Sequence, residues 1–239
     1  MDKTFKIFVD FDGTITKFDV GEAIFRMFGN KEKVDKIIED LLSDKISAKQ
    51  CWLSLCETTD KINKDEFDKF INKMEIDESF HSLVNFCKQN RMELFVLSDG
   101  FDYYISKIFK REKIEGIKIY SNKLILTDEG KLVPSFPFSD SQCTTSANCK
   151  RNHIINHSGD DDYTVFIGDG NSDKYTIQFC DFVFAKDDLL KFCEVERITY
   201  FAFRNFNDVI RKIEELQKKK RLKKRHQAEL KRKEIYMME

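Results

Sequence analysis

The chain has 239 residues, 41% of them apolar and 23 of them Phe, enough for the core of one α/β domain with an insertion. The net charge of −1 is uneven: residues 211–239 hold 12 Lys or Arg against 5 Glu, leaving 29 basic and 37 acidic residues elsewhere. An acidic body of this kind argues against a general nucleic-acid binder, and no apolar run reaches membrane-spanning length, so a soluble cytoplasmic protein is expected.

In chain order, the apolar run Ile7-Phe8-Val9 leads into Asp10-Phe11-Asp12 and then Gly13-Thr14, the pattern of a buried strand closed by a glycine turn. Asp10 and Asp12 then project past the strand's carboxyl edge, where ligands bind in open α/β sheets. Two carboxylates there fit either an Asp-rich turn or a site for a hard cation such as Mg²⁺, which takes oxygen ligands. After Thr16 apolar residues recur at helical spacing: Val20, Ile24 and Phe28, then Val34, Ile37, Ile38, Leu41 and Leu42. Segments 47–57, 64–74 and 78–90 continue as short amphipathic helices. Such a length of helix is too great for a simple crossover, so an inserted helical subdomain is predicted.

Strand signal returns at Glu93–Leu97, closed by Ser98-Asp99-Gly100, and Phe101–Glu112 reads as a helix. Ile117–Leu126 reads as strand, with a hairpin turn over Thr127–Lys131. Ser146–Ile155 reads as a helix carrying Lys150. Thr164–Ile167 is a further buried strand, closed by Gly168-Asp169-Gly170-Asn171-Ser172-Asp173, and Phe182–Ala185 and Thr199–Phe203 complete the set. Strands alternating with helices predict a doubly wound parallel sheet. The helix from Phe206 keeps its apolar stripe through Val209, Ile210, Ile213 and Leu216. From Lys218 to Arg225 nearly every residue is basic and no core-facing side is left, so a solvated extension or frayed tail is expected. The seven Cys (51, 56, 87, 143, 149, 180, 193) form no Cys-x-x-Cys pair and are expected as reduced thiols; Cys143 and Cys149 lack the spacing of a zinc site.

Asp10-x-Asp12, Ser98, Lys150, and Asp169 with Asp173 therefore stand in order, all but Lys150 at strand ends. Phosphoryl transfer through an aspartyl intermediate calls for these residue types: a carboxylate nucleophile, an acid for the leaving oxygen, hydroxyl and ammonium donors, and carboxylates for Mg²⁺. On these motifs the chain resembles the haloacid dehalogenase superfamily of phosphatases over residues 5 to 206. The helical insertion after the first motif is similar to the phosphoserine-phosphatase-like subclass. Cys149-Lys150, Ile167-Gly168-Asp169-Gly170-x-x-Asp173 and Phe184-Ala185-Lys186-Asp187-x-Leu189-Leu190 are similar to the methionine-salvage branch, which dephosphorylates a hydroxy-keto-methylthiopentenyl phosphate.

The resemblance implies a Rossmann-type α/β core (1–17 and 88–206), a helical cap (18–87) and a C-terminal helix with a basic extension (207–239). It implies Asp10 as nucleophile, Asp12 as general acid and Lys150 as the cation that neutralises the moving phosphoryl group. Mg²⁺ would be held by Asp10, the backbone carbonyl of Asp12 and Asp169, with Asp173 completing the site. Ser98 would bind the phosphoryl group with the N–H of Asp99 or Gly100 nearby. Many relatives have glycine where Asp99 stands, which makes Asp99 a structural turn residue or a substrate contact. Asp19 takes the place of a substrate-gripping glutamate, and the region around Trp52 has no arginine to clamp a substrate carboxylate. The expected activity is a Mg²⁺-dependent phosphomonoesterase on a small soluble phosphate ester, as monomer or homodimer, with no membrane or nucleic-acid partner. Phe18 and Trp52 would line an apolar end of the pocket. A phosphatase for phosphoserine or a phosphorylated amino alcohol such as phosphocholine is the enzymatic alternative. A protein that binds anionic polymer or membrane through residues 218–225 is the rival of another class.

Overall fold

β1 (Phe5–Val9) is apolar at every position but Lys6, because both of its faces are covered. In the computed structural model, which describes residues 3–141, 143 and 146–236, β1 lies near the middle of a seven-stranded sheet ordered β4-β3-β2-β1-β5-β6-β7. The other strands are β2 (Glu93–Phe101), β3 (Lys118–Leu126), β4 (Leu132–Ser135), β5 (Tyr163–Gly168), β6 (Phe182–Ala185) and β7 (Phe201–Ala202). All neighbours pair in parallel except the β3–β4 hairpin. Side chains alternate across β1: Phe5, Ile7 and Val9 join one core, and Phe8 joins the other, stacked on Phe95 at 5.0 Å between ring centres. The chain runs from β1 to β2 on one side and later fills β5 on the other. The strand order thus reverses at β1, and a crevice opens at its carboxyl end.

Between β1 and β2 lie α1 (Val20–Phe28), α2 (Lys31–Leu42), α3 (Ala48–Glu57), α4 (Lys64–Ile71) and α5 (Phe80–Gln89). The first four each open on a side-chain cap: Asp19, Asn30, Ser47 with Gln50 in a capping box, and Asn63. The chain leaves the sheet and returns to it side by side, with Thr16 bridged to Ile76 and the Asp77 N–H on the Ile15 carbonyl at 2.8 Å. α5 packs back on β2 and on α9 (Phe206–Lys218), Phe80 meeting Phe206 at 5.1 Å.

Three segments depart from the sequence reading. β2 continues through Ser98-Asp99-Gly100 to Phe101, with a register irregularity against β3, so that α6 begins at Asp102 and runs to Arg111. The helix expected from Ser146 begins only at Lys150 (α7, Lys150–His157), because the Ser146 hydroxyl and the N–H groups of Ala147 and Asn148 are directed at the Asp99 carboxylate. The expected strand Thr199–Phe203 shortens to β7, which pairs only with the end of β6.

The basic extension is corrected in part. Residues 218–221 and Lys223 are exposed, as a solvated extension would be, but the chain then turns back: α10 (His226–Tyr236) lies against the core, with Ala228 fully buried and Arg232 paired to the buried Asp181. Arg232 and the small Ala228 give α10 its contact face, with Arg225 just before it, a pattern without the apolar stripe that marks a packed helix. After β5 come two short 3-10 helices, η1 (Asn171–Asp173) and η2 (Thr176–Phe179), and α8 (Asp187–Val195) follows β6.

Candidate active site

β1 delivers Asp10 to the crevice beside the carboxyl end of β5, its backbone N–H on the Ile167 carbonyl at 2.9 Å. Lys150, at the first turn of α7, reaches it from the other side: Nζ lies 2.5 Å from Asp10 Oδ1, 2.7 Å from Asp173 Oδ1 and 3.1 Å from Ser172 Oγ. All three ammonium protons are thereby engaged, and the side chain has no exposure. Burial acts to lower the Lys150 pKa, but Asp10 and Asp173 outweigh it and hold the ammonium above the ordinary lysine range.

Asp12, two residues after Asp10, faces a different environment. Its Oδ2 accepts from Ser98 Oγ at 3.0 Å and Tyr104 Oη at 2.8 Å, and its Oδ1 from the Val20 N–H at 3.1 Å. Burial pushes its carboxyl well above the usual range, with Asp19 and Asp10 adding to the rise and the two hydroxyl donors opposing it. Gly100 leaves the room this needs: a Cβ there would meet the Tyr104 hydroxyl and the Asp12 carboxylate.

Asp10, Asp169 and Asp173 each offer a carboxylate oxygen, all within 4.8 Å of one another. Thr14 Oγ1 donates to Asp169 Oδ1 at 2.6 Å, and Gly13, at φ +77°, lets the turn pass where any Cβ would strike the Asp169 carboxylate. Burial pushes Asp10 and Asp173 up to about 7, against the pull of Lys150, and Asp169 up to about 6. An oxygen-only donor set of crowded, partly desolvated carboxylates fits a hard divalent cation such as Mg²⁺. Asp12 contributes no carboxylate to this group, since its side chain is turned toward Ser98 and Tyr104.

Asp99 is held largely by protein. Oδ1 accepts from Ser146 Oγ (2.7 Å) and the N–H groups of Ala147 (2.6 Å) and Asn148 (2.8 Å), and Oδ2 from Trp52 Nε1 of α3 (3.2 Å). The fully buried Asn148 donates through Nδ2 to the Ser98 and Tyr120 carbonyls at 2.8 and 2.9 Å, tying the Ser98 turn to the segment that precedes Lys150. Trp52 packs edge-on to Phe101 at 4.9 Å and tilted against Phe25 at 5.9 Å.

A cavity of about 420 Å³ opens over Asp10 and Asp12. Phe25, Leu41, Leu55 and Trp52 of the helical insert supply its apolar wall, and Asp19, Glu22 and Asp99 add carboxylates. Among the described residues no lysine or arginine lines it. Asp19 also caps α1, its Oδ1 accepting from the Glu22 N–H at 2.7 Å. Phe18 is corrected: it is 73% exposed and does not line the cavity.

Sequence reasoning missed Tyr104, Thr14, Ser172, Asn148 and Glu22. Thr14 and Ser172 lie inside the quoted motifs and could have been found there. Tyr104 and Asn148 carry no local signal, because a tyrosine on a buried helix face reads as core.

The model of the Putative Phosphatase family matches residues 5–197. A 2-hydroxy-3-keto-5-methylthiopentenyl-1-phosphate phosphatase of Bacillus mycoides is 31% identical over 213 residues, covering 88% of this chain and 96% of that protein. A protein of the same name from Brevibacillus brevis is 28% identical over 220 residues, covering 91% and 98%. Among solved structures, the phospho-aspartyl intermediate analogue of a phosphoserine phosphatase superposes with a TM-score of 0.68 at 22% identity, covering 88% of this chain and 99% of that one. A substrate-bound phosphoserine phosphatase complex superposes with a TM-score of 0.67 at 20% identity, covering 89% and 99%. The buried Lys150 between two carboxylates, the reversal of strand order at β1 and these likenesses agree: the chain belongs to this phosphatase family and is a phosphoric monoester hydrolase of the haloacid dehalogenase-like fold.

Proposed function

We propose that the protein hydrolyses a small phosphomonoester in two steps, with Asp10 as nucleophile and Asp12 as the acid and base. The observation that carries this reading is the divergence of two carboxylates two residues apart. Asp10 is paired to the Lys150 ammonium at 2.5 Å, which favours its ionised, attacking form. Asp12 is held aside by Ser98, Tyr104 and the Val20 N–H, and its burial, with Asp19 and Asp10 nearby, outweighs those donors and favours a proton it can give.

An Asp10 oxygen bonds to phosphorus as the ester bond to the substrate oxygen breaks, and Asp12 protonates the departing alcohol. Asp12, now ionised, takes a proton from water, which attacks the same phosphorus, releases phosphate and restores Asp10. Lys150 stays beside Asp10 through both steps, and Ser98, whose hydroxyl now bonds Asp12, would turn it toward a phosphoryl oxygen. Asp10, Asp169 and the backbone carbonyl of Asp12 would hold Mg²⁺, with Asp173 beside them; when bound, the ion supplies positive charge against the phosphoryl oxygens. The helices between β1 and β2 act as a cap that shuts water out while the aspartyl phosphate forms. A cytoplasmic location fits seven buried cysteines. No helix among the described residues is long and apolar enough to cross a membrane.

The substrate class follows from the cavity wall. With no cation lining it, a substrate carboxylate would go unpaired, a loss of about 2–5 kcal/mol or roughly 30- to several-thousand-fold. Phosphoserine is therefore disfavoured. The aromatic and leucine wall suits an apolar or thioether end, and a carbonyl- and hydroxyl-bearing methylthiopentenyl phosphate is the first choice, in line with the names of the relatives. The carboxylates of Asp19, Glu22 and Asp99 favour a second reading, a phosphorylated amino alcohol such as phosphocholine. Measuring kcat/KM with Mg²⁺ for these three classes separates them. A preference for phosphoserine would refute the reading of the cavity, and no hydrolysis of any ester would refute the mechanism.

A further inference from the structure

The two carboxylates of the third motif, Asp169 and Asp173, lie on a segment that runs from β5 through η1 and η2 to the start of β6. The far end of that segment and the start of β5 meet one side chain of the C-terminal helix. Arg232 donates from Nη1 to the Phe179 carbonyl at 2.5 Å and to Thr164 Oγ1 at 3.2 Å, and from Nη2 to Asp181 Oδ1 at 3.1 Å. Thr164 lies near the start of β5, and Phe179 and Asp181 lie where the segment re-enters the sheet. Asp181 ties this re-entry point to β5 as well, its Oδ2 accepting from the Thr164 N–H at 3.0 Å and the Thr164 hydroxyl at 2.9 Å.

Arg225 grips the middle, with Nη2 on the Ile177 carbonyl of η2 at 2.5 Å. The Ile177 carbonyl also accepts from the Cys180 N–H that caps η2, at 3.2 Å, so Arg225 adds a second donor there, and Arg232 supplies one to the Phe179 carbonyl at the helix end. The approach of α10 is itself anchored. Tyr163 Oη donates to the Leu222 carbonyl at 2.9 Å, Lys224 bonds the Asp160 carbonyl, and Ala228 is fully buried. α9 and α10 both lie beyond residues 5–197, the span that the family model matches.

We propose that α10 and the residue that leads into it form a positioning element for the metal-binding carboxylates: Arg225 and Arg232 clamp η2 and the point where its segment re-enters the sheet beside β5, and so hold Asp169 and Asp173 facing Asp10. The inference rests on the metal role given above to Asp169 and Asp173. A carboxylate on a loose loop must be ordered by the ion when it binds, and that ordering weakens affinity; a clamped loop has already been ordered. Loss of supporting contacts behind metal ligands weakens metal binding by roughly 10- to 100-fold.

The test uses the full chain with Arg232→Met, Arg225→Met and the conservative Arg232→Lys. Two quantities are read well below each unfolding midpoint: Mg²⁺ affinity by titration calorimetry, and hydrogen exchange of residues 169–180 in metal-free protein. Arg232→Met should bind Mg²⁺ on the order of tenfold more weakly and exchange that segment faster, while KM at saturating Mg²⁺ stays within about twofold. Arg232→Lys should recover part of both. If Arg232→Met does not fold, Arg225→Met, which removes a single hydrogen bond, carries the same expectation at smaller size. Unchanged Mg²⁺ affinity and exchange in variants with lower unfolding midpoints would overturn the proposal and leave α10 a stabilising helix only. Wild type that takes up no Mg²⁺ at all would instead overturn the metal role itself, and this proposal with it.

Discussion

Replacing Lys150 by Met keeps much of the buried stem and removes the ammonium that faces Asp10 at 2.5 Å and Asp173 at 2.7 Å. Both carboxylates sit in surroundings that exclude water, with 6% and 0% side-chain exposure, so neither can be solvated in place of its lost partner. Removing one member of a buried pair costs about 3–5 kcal/mol, because the remaining charge stays desolvated. For a chain of this size each kcal/mol moves the unfolding midpoint by about 2–4 °C, so metal-free Lys150→Met should melt about 6–20 °C below wild type. Scanning calorimetry in chelator reads this directly. Excess Mg²⁺ should return part of the loss, since a cation bound by the folded state again offsets the crowded carboxylates. Turnover should fall about 10²–10³-fold, the usual effect of removing a preorganised charge from a reacting group. A metal-free midpoint within about 2 °C of wild type, with turnover reduced less than a few-fold, would refute the assignment of Lys150 as the counter-charge.

Asp10→Asn retains the shape of the proposed nucleophile without its charge, and turnover on any accepted ester should drop roughly 10³-fold or more; a near-normal rate would exclude the covalent route. Tyr104→Phe removes one of the hydroxyl donors to Asp12, a hydrogen bond that becomes one to a charged group, of about 1.5–3 kcal/mol, as Asp12 gives up its proton. In steady-state kinetics kcat should fall by about 10- to 100-fold with KM little changed, whereas a rise in KM alone would place Tyr104 in substrate binding instead. His153 gives a test away from the reacting groups: burial, with His157 adding to it, lowers its pKa from 6.5 to about 4. Because the folded value is the lower one, its contribution is complete above pH 6.5 and is lost as pH falls toward 4. Between pH 7 and 5 wild type should lose about 2 kcal/mol that His153→Gln does not, read from denaturant unfolding at the two pH values. Parallel losses in both proteins would show that His153 is not the titrating group.

Much of the site could be read from local pattern. Ile7–Val9 had to be a buried strand, and the turn at Gly13 had to leave Asp10 and Asp12 at its carboxyl end. The block at Gly168–Asp173 repeated that logic at β5. The helix starts at Asn30, Ser47 and Asn63 are local in the same sense, since those side chains bond N–H groups only two or three residues away. Such signals are legible because the partners are neighbours in the chain.

The rest was decided by partners distant in sequence. Ser146 to Asn148 has an ordinary helical pattern, yet its donors are drawn to Asp99, and α7 starts only at Lys150. Asp10 and Asp12 are the same residue type two positions apart, and only the folded chain gives one an ammonium and the other Tyr104 and Ser98. The basic tail read as solvated because its charges lack an apolar stripe. In the fold Arg225 and Arg232 meet carbonyls and a buried carboxylate that the chain brings to the end of η2. Periodicity reports which face of an element avoids water; a charged side chain is buried only where its counterpart waits, and that counterpart is set by the tertiary structure.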